Sequence, residues 1–74
     1  MAFEKELGKR LRFVRGIREL SQSSLARAAK LQPSAIAHIE SGRRMPTART
    51  LRAICKAAMV SADYLLGISE RTHP

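Results

Sequence analysis

What most constrains this chain is how often its helical pattern is restarted. Ser21, the Gln32-Pro33 pair, Thr47 and Ser61 are all helix-start residues. A hydroxyl can accept the free N–H groups of a first turn, and proline fits a first turn because its missing N–H removes no intrahelical bond. Apolar residues at helical spacing follow each signal: Leu25, Ala26 and Ala29, then Ile36 and Ile39, then Leu51, Ile54 and Cys55. Upstream, Leu7, Leu11 and Val14 form a stripe of the same period. The pattern predicts helices over 3–18, 22–30, 33–40, 48–58 and 62–66, the last ended by Gly67. Helices this short bury an apolar face only against one another, so the expected fold is all-α, a compact bundle of five short helices. No strand, repeat or low-complexity segment is evident. Residues 1–67 form the expected domain, and 68–74 a short C-terminal tail without periodicity. Gly8 and Gly16 lower helix propensity by up to ~1 kcal/mol each, which predicts a short or loose end to the first helix.

The charge narrows the partners. Fourteen Lys and Arg stand against six Asp and Glu, a formal net charge of +8 in 74 residues. Residues 1–20 carry +3, 21–50 carry +4 and 51–74 only +1, so the excess lies in the first two thirds. A polyanion is the natural ligand of such a surface, since neutralised phosphates release counterions. Phe3, Phe13 and Tyr64 are the only aromatic residues, too few to stack the bases of single strands. No apolar run approaches the ~20 residues of a membrane span, and the N-terminus lacks a signal-peptide pattern. Cys55 is the sole cysteine and can form no internal disulfide; a cytoplasmic location and no membrane association are expected. Catalytic groups are not assembled either. His38 and His73 lie far apart, Cys55 falls on an inward stripe, and Ser21, Ser23 and Ser24 are explained by capping. Neither an enzyme, a metal set nor a cofactor site is expected.

The stretch from Gln22 to Gly42 places two short helices around a tight turn, the second carrying the small residues Ser34, Ala35 and Ala37. Small outward residues let a helix backbone approach the floor of a major groove. Leu20-Ser21-Gln22, Leu25-Ala26, Ile36, Ile39-Glu40-Ser41-Gly42, Pro46-Thr47, Thr50-Leu51, Ile54, Val60-Ser61 and Leu65-Leu66-Gly67 together resemble the lambda-repressor-like (Cro/C1-type, XRE) helix-turn-helix family, across about residues 7–67. The resemblance implies a sequence-specific, double-stranded-DNA-binding transcriptional regulator of repressor type, working as a homodimer on a palindromic operator. It implies a phosphate contact at Gln22, where a helix N-terminus attracts anions. Base contacts fall to Pro33, Ser34 and His38, with Gln32 and Ala37 beside them, and backbone contacts to Arg43, Arg44 and Arg49. Arg15 and Glu40 match a pair that the family bridges between its first and third helices.

The chain departs from the family at Glu19, Lys30 and Met59, where members often carry glycine. A left-handed backbone there would cost on the order of 1 kcal/mol per residue. Pro33 offers no donor, which leaves direct readout to Ser34 and His38 and assigns much of the affinity to backbone and DNA shape. Met59, Ala62, Tyr64 and Ile68 are apolar in the least charged third and are the expected dimer surface, unless Tyr64 and Ile68 fold back onto their own chain. The alternative function is an antitoxin or anti-regulator whose main ligand is a partner protein. Phe13 and Ile17 bear on it: tucked against the second helix they are core, which is the expectation, and exposed they form a small apolar patch.

Overall fold

The computed structural model describes residues 2–73. Five helices follow one another: α1 (Ala2–Ile17), α2 (Gln22–Ala29), α3 (Pro33–Glu40), α4 (Ala48–Ala58) and α5 (Ala62–Leu65). Three of the starts are closed by hydroxyls. Ser21 Oγ accepts the Ser24 N–H at 2.9 Å, Thr47 Oγ1 that of Thr50 at 3.1 Å, and Ser61 Oγ that of Tyr64 at 3.0 Å. α3 starts with Pro33 in its first turn and no side-chain cap.

α2 packs on α3 and α4, while α1 packs on α3 and α5. Leu7, Leu11 and Val14 of α1, Leu25 and Ala26 of α2, Ile36 and Ile39 of α3, Ile54 and Ala58 of α4, Val60 and Leu65 share one core. The expected loosening of α1 does not occur: the helix runs unbroken through Gly8 and Gly16. Gly8 is instead what seats α1. A Cβ on it would lie 2.5 Å from the carbonyl oxygens of Ile39 and Glu40, so only glycine lets α1 approach the end of α3 this closely. Phe13 and Ile17 do not tuck against α2. They stay 55% and 47% exposed, because the apolar stripe of α1 is already filled by Leu7, Leu11 and Val14. The tail also differs from a free end. The Ser61 N–H donates to the Thr72 carbonyl at 2.8 Å and the Ser61 hydroxyl to that of Arg71 at 3.1 Å, bringing residues 71 and 72 back beside the start of α5.

Glu19, Lys30 and Met59 adopt φ of 55°, 60° and 55°, so the turns keep the left-handed geometry without the residue it suits. The Lys30 N–H reaches back to the Arg27 carbonyl and that of Leu31 to the Ala26 carbonyl at 2.8 Å, which closes α2 whatever the side chain. All three side chains are exposed. Replacing any one by glycine is therefore expected to raise stability by about 0.5–1 kcal/mol through relief of the backbone cost, with near-additive gains because the turns are separate. Thermal melts of Lys30→Gly, Met59→Gly and the triple variant check this; an unchanged or lower midpoint in all three would refute it.

Candidate nucleic-acid interface

α3 presents its first turn to solvent. Gln32, Pro33 and Ser34 are exposed, while Ala35, Ala37 and His38 are half-buried behind them. Since Gln32 makes no capping bond, its amide and the Ser34 N–H remain available to a ligand, and the positive end of the helix dipole points outward there. Ile36 and Ile39 anchor the opposite side of α3 in the core.

The basic loop is fixed to the end of this helix. Three donors converge on the His38 carbonyl: the Arg43 N–H at 2.9 Å, the Arg44 N–H at 3.3 Å and the Ser41 hydroxyl at 3.1 Å. Gly42 supplies the reversal with φ of 82°. Arg43 and Arg44 are exposed on this turn, and Arg49 is exposed in the first turn of α4, which Thr47 caps. The three guanidiniums thus stand beside α3 on turns held by hydrogen bonds and a helix cap.

Glu40 is the hub beneath this surface. Its side chain is only 1% exposed. Oε2 accepts from Arg15 Nε at 2.6 Å, and Oε1 accepts from Arg15 Nη2 and Gln22 Nε2, each at 3.0 Å. Arg15 Nη1 also donates to the Leu20 carbonyl at 2.9 Å, so a single guanidinium ties α1 to the α1–α2 turn and to the end of α3. Burial pushes the Glu40 carboxyl up, but hydrogen bonds from Arg15 and Gln22 and the charges of Arg15 and Arg12 outweigh it and hold the group below the usual carboxylate range. The hydrogen bond to Glu40, partly opposed by burial, raises the Arg15 guanidinium above its ordinary value in turn. One acidic group inside a basic face is thereby neutralised in place. Gln22 stands where α2 begins, but one of its amide hydrogens is committed to Glu40, leaving only the second free to donate to an anion.

Several contributors carry no motif signature. Gly8 was legible only as a weak helix former. Arg18 sends Nε to the Ala58 carbonyl at 3.1 Å and Nη2 to that of Met59 at 2.7 Å, capping the end of α4 from just beyond α1; a cation aimed at a helix C-terminus forty positions on leaves no local pattern. Of the four apolar residues expected at a dimer surface, Met59 and Ile68 point outward, whereas Ala62 and Tyr64 are half-buried and Tyr64 packs against its own core. Burial pushes the thiol of half-buried Cys55 up, so it is a poor nucleophile. Among the described residues no group of His, Cys, Asp and Glu is placed to hold a metal ion, and no helix is long and apolar enough to cross a membrane.

Comparison with known proteins places this geometry among relatives. The family profile described as a helix-turn-helix domain matches residues 8–67. The restriction-modification controller protein C.AhdI from Aeromonas hydrophila is similar in structure, with a TM-score of 0.84 at 28% identity over 88% of this chain and 98% of that one. The clp gene regulator ClgR from Corynebacterium glutamicum is similar at a TM-score of 0.82 and 26% identity, over 89% of this chain and 70% of that one. The P22 c2 repressor, solved in complex with a synthetic operator, gives a TM-score of 0.80 at 30% identity over 85% and 96% of the two chains. No curated protein sequence matches significantly.

Proposed function

Because the chain belongs to the helix-turn-helix domain family, matched over residues 8–67, we propose that it is a sequence-specific regulator of transcription that binds double-stranded DNA through α3. The observation that carries this reading is the α3 face itself. A small-residue helix start with free donors is flanked by Arg43, Arg44 and Arg49, and the one carboxylate within it is tied down by Arg15. The roles then divide. Gln22 and the three arginines hold phosphates. Gln32, Ser34 and His38 face base edges, with Pro33 and Ala37 making apolar contacts such as with a thymine methyl. A domain this small covers little DNA, so two copies on an inverted repeat supply affinity and read both half-sites. Met59 and Ile68 are the outward apolar residues left for that pairing. Catalysis forms no part of this function, and the proposed site of action is the cytoplasm.

The arginines and the histidine are expected to fail differently. Arg43→Ala and Arg44→Ala weaken binding to every duplex alike and make the dependence of log affinity on log salt shallower by about 0.9 each. His38→Ala changes the preference among sequences, by about 1–3 kcal/mol at the position it reads. Titrations at several salt concentrations with a panel of duplexes separate the two. An unchanged slope in both arginine variants would remove the loop from the interface.

A second reading, a partner protein as the main ligand, is favoured by one observation: the exposed Phe13–Ile17 pair on α1. It predicts normal partner binding in Arg43→Ala and Arg44→Ala and its loss in Phe13→Ser.

A further inference from the structure

The helix-turn-helix and its loop do not exhaust the cationic surface. Helix α1 and the residue that follows it carry six cations: Lys5, Lys9, Arg10, Arg12, Arg15 and Arg18. Three have polar partners within the molecule. Lys9 pairs with Glu6 at 3.7 Å, Arg15 holds Glu40, and Arg18 caps α4. Arg10 is on a different side of α1, against Gly67, its Nη1 3.2 Å from where a Cβ on that glycine would stand.

Lys5 and Arg12 remain, and they share one side of the helix because seven residues are close to two turns. Lys5 lies over Gly42, where an added Cβ would meet Lys5 Cγ at 2.8 Å. Its exposed side chain thus starts beside the turn that carries Arg43 and Arg44. Arg12 Nε is 3.6 Å from Glu40 Oε1, beyond hydrogen-bond length, and its side chain is 68% exposed. That oxygen already accepts from Arg15 and Gln22, and Oε2 accepts from Arg15. Arg12 therefore adds charge to a carboxylate whose bonding is complete. Two guanidiniums against one carboxylate leave an excess cation, next to the Gln22 amide.

We propose that Lys5 and Arg12 contact the phosphodiester backbone, extending the DNA footprint from the helix-turn-helix onto α1. This rests on the reading above that duplex DNA is the ligand. Arg12 and Gln22 grip neighbouring phosphates at the start of α2, and Lys5 continues the row toward the Arg43–Arg44 turn. Such contacts read no bases; they fix the angle and register at which α3 enters the groove.

The test uses the full chain and a labelled mixed-sequence duplex roughly two helical turns long, with affinity measured against salt. Lys5→Ala and Arg12→Ala each make the log–log slope shallower by about 0.9, the pair by about 1.8. Arg10→Ala, an equal change in net charge on the side of α1 that meets Gly67, leaves the slope at the wild-type value, and Arg12→Lys retains it. Should Arg12→Ala fail to fold, Lys5→Ala alone still decides, since no ion pair of Lys5 is present among the described residues. If the double variant keeps the wild-type slope while Arg44→Ala loses slope, α1 is not in the interface and the DNA reading stands. If the wild type shows no salt-dependent binding, both readings fall.

Discussion

Gly8→Ala is expected to destabilise the fold by about 2 kcal/mol net, although alanine is the better helix former. The propensity gain is at most about 1 kcal/mol. Against it stands a Cβ 2.5 Å from two backbone carbonyl oxygens, those of Ile39 and Glu40, and 2.8 Å from the Glu40 carbonyl carbon. These atoms belong to the last turn of α3 and cannot swing aside like a side chain, so α1 has to move off α3. Forcing atoms into a packed site costs about 1–3 kcal/mol or more, and rigid backbone places this one at the upper end. Gly16 supplies the control within the same helix. Nothing stands within 4 Å of its added Cβ, so Gly16→Ala should raise stability by up to about 1 kcal/mol. Thermal melting reads both, at roughly 4–8 °C per kcal/mol for a domain of this size. Shifts of the same sign in the two variants would contradict the close approach of α1 to α3.

Glu40→Gln should cost about 2–3 kcal/mol near neutral pH. The substitution keeps shape but leaves Arg15 without its counter-charge, and breaking one side of a buried pair typically costs about 3–5 kcal/mol. The lower figure applies because Arg15 is partly exposed and keeps the Leu20 carbonyl. The same pair sets an acid dependence. Glu40 is held below its ordinary value when folded, so the folded state favours its ionised form. Its contribution is complete above the unfolded carboxylate pKa of about 4.3. It is lost as pH falls from there through the lower folded value. Chemical denaturation of wild type and Glu40→Gln across this range should give a gap that is widest near neutrality and narrows in acid. A gap independent of pH would show that the carboxylate charge does not stabilise the fold.

Much of the fold was legible in the sequence because local chemistry specifies it. Ser21, Thr47 and Ser61 cap the helices they open, and Leu7, Leu11 and Val14 reach the core their spacing predicts. The order of elements in the candidate interface followed from the same signals. What the sequence hid was non-local. Gly8 looks like a weak point until Glu40 is seen against it, and Arg18 looks like surface charge until the end of α4 is found beside it. Phe13 and Ile17 have helical spacing suited to a core, but no element covers them. Left-handed Glu19, Lys30 and Met59 show the converse, with backbone hydrogen bonds and core packing overriding residue preference at the turns.

The central claim is that α3 reads a DNA sequence, and selection from a random duplex pool tests it most directly. Full-length protein bound to such a pool should enrich an inverted repeat whose half-site centres lie about 10–10.5 base pairs, or one helical turn, apart. His38→Ala should enrich an altered base at one position in each half-site. A pool that stays random through repeated rounds, or a His38→Ala protein that enriches the wild-type site unchanged, would contradict the account.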